Sequence, residues 1–144
     1  MMAQTQNISN SFIPSKVSCQ VLDSNGQFSI KNTGNVKAYI RAMVVVNWMD
    51  GNGNVYGTPP VKGDNADYTL VTSASWNEVD GIYYYANSVD SQASVDFITV
   101  TGMGSTNGDY TLTVEVVAEA IQAEGMGASS AQNAWAAALA QPNH

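Results

Sequence analysis

Val36-Lys37-Ala38-Tyr39-Ile40-Arg41-Ala42-Met43-Val44-Val45-Val46-Asn47-Trp48 places Val36, Ala38, Ile40, Ala42, Val44, Val46 and Trp48 at alternate positions. An apolar period of two is that of an extended strand with one buried side, because successive side chains of a strand point to opposite faces. A second run has the same form. Tyr110, Leu112, Val114, Val116, Ala118 and Ala120 share one face, and Thr111, Thr113, Glu115 and Glu119 share the other. Each run extends roughly 35 to 40 Å at about 3.3 Å per residue.

Shorter strands are expected over 16–22, 27–31, 68–72, 81–86 and 94–101, punctuated by Ser24-Asn25-Gly26, Thr33-Gly34-Asn35 and Asn107-Gly108-Asp109. Regularly spaced strands with polar turns predict an all-β, jelly-roll-like antiparallel β-sandwich. The stretch 51–66 is rich in Gly, Pro, Asn and Asp, which suits a hairpin tip followed by a long surface connection. Ser129 and Ser130 precede Ala131-Gln132-Asn133-Ala134-Trp135-Ala136-Ala137-Ala138-Leu139-Ala140, whose alanine content predicts a short C-terminal helix with Trp135 and Leu139 on one side, ended by Pro142.

The chain has 144 residues, 44% hydrophobic and 12% charged, which suits a single globular domain over 14–144 behind an N-terminal extension over 1–13. Twelve acidic against five basic side chains give a net charge of −7, and Lys16, Lys31, Lys37, Arg41 and Lys62 form no cluster. Neutralising a run of phosphates needs such a cluster, so nucleic acid and anionic membrane are poor partners. No run of eighteen apolar residues offers a membrane-spanning helix, and no charged segment precedes an apolar run as in a signal peptide. Cys19 is the only cysteine, which excludes an intrachain disulfide and any CxxC motif. It shares a period-two face with Val17 and Val21, so a buried, unpaired thiol is expected.

Catalytic signatures are missing. The one histidine is His144, the last residue, so neither a zinc site of the HExxH type nor a Ser-His-Asp triad can be assembled from internal residues. GxSxG, GxGxxG and GxxxxGK[ST] do not occur. Asp50-Gly51-Asn52-Gly53-Asn54 spaces oxygen ligands as a calcium loop begins, but Val55 stands where that loop needs glycine and Val61 where it needs glutamate. A solvated hairpin turn is the better reading. Tyr83 and Tyr85 fall on one face of a strand and Tyr84 on the other, so core packing accounts for them more simply than sugar stacking. No catalytic residue, cofactor site or metal site is expected, and the chain reads as a structural or binding protein rather than an enzyme.

The segments Lys31-Asn32-Thr33-Gly34-Asn35-Val36-Lys37-Ala38-Tyr39-Ile40-Arg41, Asp80-Gly81-Ile82-Tyr83-Tyr84-Tyr85 and Glu119-Ala120-Ile121-Gln122-Ala123, in this order, resemble the TasA/camelysin-type proteins that Gram-positive bacteria secrete through a dedicated signal peptidase. Val46-Asn47-Trp48, Trp76 and Ala134-Trp135 add to the likeness, which spans about residues 10–136. The resemblance implies a jelly-roll domain, export, a Met1 close to a mature N-terminus, and assembly into extracellular fibres of a biofilm matrix or a pilus-like appendage. It also implies that subunits join when an N-terminal segment of one completes a sheet of the next. The metalloprotease activity ascribed to camelysin-like members is not carried over, because internal histidines are lacking.

Residues 1–12 suit that joining role on their own chemistry. Met1, Met2, Ala3, Gln4, Thr5, Gln6, Asn7, Ile8, Ser9, Asn10, Ser11 and Phe12 include no glycine, proline or charged side chain, unlike a typical disordered tail. Met2, Ile8 and Phe12 share one face, and Pro14 makes a natural pivot. The expectation is a homopolymer joined through this donor strand; the alternative is a monomeric cell-surface binding or adhesion module using Tyr83–Tyr85 or the 51–66 loop.

Overall fold

The computed structural model of the chain describes residues 15–123 and Trp135. Among these described residues nine strands form two antiparallel sheets: β1 Cys19–Ser24, β2 Gln27–Asn32, β3 Ala38–Met49, β4 Thr69–Thr72, β5 Trp76–Val79, β6 Ile82–Tyr85, β7 Ser94–Thr101, β8 Thr106–Asn107 and β9 Tyr110–Gln122. One sheet has the order β1-β2-β7-β4 and the other β5-β6-β3-β9-β8. The chain changes sheet at β2–β3, β3–β4, β4–β5, β6–β7 and β7–β8, the alternation of a jelly-roll-like sandwich. The expected all-β fold is therefore the observed one, while the C-terminal helix expected over 131–140 falls, Trp135 apart, outside the described residues.

The two long alternating runs form the ladder at the centre of the larger sheet, paired without a break from Ala38↔Gln122 to Met49↔Thr111. Ala38, Ile40, Ala42 and Trp48 are buried, as their period requires, and Leu112 is buried opposite Trp48. Phe28 and Ile30 of β2 and Phe97, Ile98 and Val100 of β7 supply the facing layer. Each large apolar side chain so buried contributes about 1.5–3 kcal/mol before the entropy of ordering is charged against it.

Strand β7 departs from simple alternation. Phe28 lies opposite Ile98 and Ser29 opposite Asp96, so Phe97 is the extra residue of a β-bulge. Before the bulge the odd-numbered Val95 and Phe97 face the core; after it the even-numbered Ile98 and Val100 do. Phe97 and Ile98 are adjacent in sequence yet both fully buried.

Strands β5 and β8 lie outside the segments whose alternation predicts a strand. Val79 pairs with Ile82 around Asp80-Gly81, at φ 52° and 83°, a two-residue turn of the I′ kind whose positive φ values match the twist of the flanking strands. The Asp-Gly dipeptide was therefore a legible hairpin signal. Through it β5 sets Trp76 into the core, its ring 4.5 Å from Phe97 and 5.0 Å from Tyr85, while its Nε1 donates to the Asp96 carbonyl at 2.7 Å.

Candidate strand-acceptor edge

In an antiparallel ladder each residue directs both backbone polar groups to the same side, and the side alternates along the strand. The Ala123 N–H donates to the Lys37 carbonyl at 2.9 Å, which fixes the phase of β9: its odd-numbered residues bond β3. The even-numbered residues point the other way. Leu112 does so, donating to the Ser105 carbonyl at 2.8 Å and accepting from the Gly104 N–H at 2.9 Å. Beyond it β8 has ended, and among the described residues Val114, Val116, Ala118, Ala120 and Gln122 have no backbone partner on that side.

This open edge runs over 113–122, roughly 33 Å at about 3.3 Å per residue. Proteins commonly blunt such an edge with lysine, proline or a bulge, since exposed ladder groups template pairing with another chain. Strand β9 has no lysine, no proline and no register shift against β3, and its charged side chains, Glu115 and Glu119, stand on the sheet's outer face. The edges of β4 and β5 are four residues each, too short to offer a comparable ladder.

Strand β1 lies alongside β9, at the edge of the opposite sheet. Its phase follows from Thr33 N–H donating to the Ser18 carbonyl and Asn35 N–H to the Lys16 carbonyl, both at 3.0 Å, so Cys19, Val21 and Asp23 aim their backbone groups outward. Cys19 and Val21 of β1 and Val114, Val116, Ala118 and Ala120 of β9 are partly buried and packed against the core. This flank thus carries two strand edges and a row of small or β-branched side chains between them.

The start of β1 is held in place by the Asn32-Thr33-Gly34 segment. Asn32 is fully buried; its Nδ2 donates to the carbonyls of Val36 and Val89, and its Oδ1 accepts from the Gly34 N–H, each at 2.9 Å. Gly34 abuts the Lys16 carbonyl so closely that a Cβ would collide with it. The Ser18 and Thr33 hydroxyls share a hydrogen bond of 2.7 Å. Together these contacts fix where the chain enters the sandwich, next to the β1 and β9 edges.

Cys19 is half-buried rather than buried, because β1 is an edge strand, and it is a free thiol. Burial raises its pKa, and the negative charge of Glu119 on β9 raises it further. The Asp50–Asn54 segment is the hairpin tip expected of it. Asp50 Oδ1 accepts from the N–H groups of Asn52 and Asn54 at 2.9 and 2.8 Å, and Oδ2 from Asn54 Nδ2 at 3.1 Å. Those bonds, the Asn54 N–H first, hold the carboxyl below the usual range.

Tyr83 is buried edge-on to Phe97 at 5.3 Å, and Tyr85 packs against Trp76 with its ring tilted by 56°, so the face assignment read from the sequence holds. Burial, then Glu78 and Tyr68, push the Tyr83 phenol upward, against a hydrogen bond from Thr72. Tyr84 lies on the outer face, edge-on to Trp135 at 6.4 Å. The residues 1–12 expected to act as donor strand lie outside the described residues. Among the described residues no group of three or more His, Cys, Asp or Glu side chains could hold a metal ion, and no helix is long and apolar enough to cross a membrane. A surface hollow of 600 Å³ lined by Ser24, Asn25, Gln27, Thr99, Thr101 and Met103 carries no titratable side chain.

Comparison with protein-family models, curated proteins and solved structures finds no match to this chain.

Proposed function

We propose that this protein is a structural subunit of an extracellular fibre, and that copies join when residues 1–12 of one pair with the open edge of β9 in the next. The observation that carries this reading is the ladder from Val114 to Gln122, whose outward backbone groups have no partner among the described residues. Strand addition to such an edge draws affinity from main-chain hydrogen bonds and specificity from alternate side chains that enter the adjacent apolar flank. The donor can supply both. Extended, residues 1–12 reach about 40 Å, enough to cover the edge. Met2, Ile8 and Phe12 on one face would add about 1.5–3 kcal/mol each on burial, before the cost of ordering the segment.

The function is mechanical rather than catalytic in this reading, in keeping with a sequence that lacks an internal histidine and any nucleophile motif. Assembly outside the cell follows from the resemblance to secreted matrix proteins. A monomeric adhesion module built on Tyr83–Tyr85 is less well supported, since Tyr83 and Tyr85 belong to the core and Tyr84 packs against Trp135.

Electron microscopy of the purified chain and of a variant lacking residues 1–12 tests the proposal. The full chain is expected to form fibres, and the deletion variant to remain a folded monomer. Fibres of unchanged abundance from the deletion variant would sink the donor-strand mechanism; a full chain that stays monodisperse across salt and pH would sink the fibre reading itself.

A further inference from the structure

Asn-Gly occurs three times in the chain, as Asn25-Gly26, Asn52-Gly53 and Asn107-Gly108. The dipeptide is open to attack on itself: the backbone nitrogen of the glycine can reach the side-chain amide carbon of the asparagine, and no Cβ on the glycine hinders the approach. That nitrogen must be free to react. A glycine N–H held in a hydrogen bond, or a turn closed by the fold, has to open first, so the folded structure ranks the three sites.

Two of them are held. The Gly26 N–H donates to Asp23 Oδ1 at 3.0 Å, and the Gly26 carbonyl accepts from the Val100 N–H at 2.8 Å. Gly26 is buried against the Val100 backbone, where even a Cβ would collide. The Gly53 N–H donates to the Asp50 carbonyl at 3.1 Å, and the N–H groups on either side, those of Asn52 and Asn54, both donate to Asp50 Oδ1. The third is not held. Asn107 and Gly108 are exposed, and neither the Asn107 side chain nor the Gly108 N–H has a hydrogen-bond partner among the described residues. Strand β8 is only two residues long, Thr106 paired with Thr111 and Asn107 with Tyr110, so opening the turn between them disturbs little else.

We propose that Asn107 is a site of spontaneous deamidation, the one Asn-Gly of the three that the folded chain leaves reactive. The Gly108 nitrogen loses its proton to solvent base and attacks Asn107 Cγ; the Cγ–Nδ2 bond breaks, and Nδ2 takes up a proton and leaves as ammonia. Water then opens the cyclic imide at either carbonyl, leaving aspartate or isoaspartate at position 107 with no change in oxidation state. Either product adds a negative charge to a chain whose net charge is already −7. The isoaspartyl product also lengthens the backbone by a methylene beside the two-residue turn, so Asn107 and Tyr110 lose their register, and so short a strand has no other pairs to restore it. The site is independent of the proposed strand addition, since it needs neither the donor segment nor the β9 edge.

Ageing the full chain in mildly alkaline buffer, with peptide mapping for the amide-to-acid mass gain and for isoaspartate, tests the assignment. In the folded chain Asn107 is expected to convert at least about tenfold faster than Asn25 or Asn52, and in denaturant the three rates are expected to fall within about threefold of one another. Asp50→Ala is expected to raise the Asn52 rate several-fold and to leave that of Asn107 unchanged. Equal rates at the three sites in the folded chain would overturn the proposal, as would conversion at Asn25 or Asn52 ahead of Asn107. An Asn52 rate indifferent to Asp50→Ala would overturn the hydrogen-bond ranking that singles Asn107 out.

Discussion

Asn32 reaches across the sandwich to the carbonyl of Val89, 57 positions away in sequence, at 2.9 Å. The same amide nitrogen bonds the Val36 carbonyl, and Val89 in turn exchanges both backbone bonds with Ala38 at 2.8 and 3.0 Å. One buried side chain therefore ties the end of β2 to the start of β3 and to the loop before β7.

Asn32→Ala is expected to destabilise the fold by about 2–5 kcal/mol, because it leaves the Val36 carbonyl and the Gly34 N–H without partners, each costing about 1–3 kcal/mol with partial relief by water, while the Val89 carbonyl keeps the Ala38 N–H. Asn32→Asp is expected to be worse than an isosteric change suggests, since a carboxylate would face two carbonyl oxygens. Urea denaturation of the monomeric form measures both; a loss below about 1 kcal/mol for the alanine variant would show that the network carries little net stability.

The alternation along β9 yields a test by proline. The Ala118 N–H points to the open edge, so Ala118→Pro removes no bond to β3 and is expected to keep the domain folded while blocking fibre growth. Val117→Pro removes a ladder donor to β3 and is expected to cost about 3 kcal/mol or more. Circular dichroism and electron microscopy read the pair; fibres from Ala118→Pro, with the fold intact, would place the donor strand elsewhere.

Asp50 gives a pH prediction. Its carboxyl is held below the usual range in the folded chain, so the turn gains stability that is fully present above the unfolded-state value and is lost as pH falls through the folded one. Asp50 bonds only residues of its own turn, so the effect is expected at the hairpin tip rather than in global unfolding. A carbon-13 titration should find Asp50 below an unperturbed aspartate, and Asp50→Ala should broaden the Asn52–Asn54 amides. A midpoint at or above the ordinary aspartate value would contradict the turn as described.

Cys19 is expected to react slowly with thiol reagents near neutral pH, since a raised pKa depletes the thiolate and half-burial restricts access. Glu119→Gln should speed labelling modestly by removing the second of the two causes. Labelling of the folded chain as fast as in denaturant would show the edge of β1 to be open.

The sequence by itself determined the strands whose cores are built by alternation: Val36–Trp48 and Tyr110–Ala120 carry an unbroken period of two, a property of the backbone pleat that needs no partner to be read. Asn25-Gly26 likewise marked its turn, for positive φ is a local demand, met at 51° and 90°. Tertiary structure alone decided the rest. The bulge at Phe97 reverses the inward face of β7, and that reversal exists only against β2. The amide of Asn32 acquires its role from carbonyls that the fold brings to it. Whether β9 ends paired or open depends on where β8 stops, so a candidate donor could be read from composition but its acceptor edge could not. Periodicity is local and survives in sequence; pairing is a contact between distant segments, and only the folded chain shows which backbone groups are left without one.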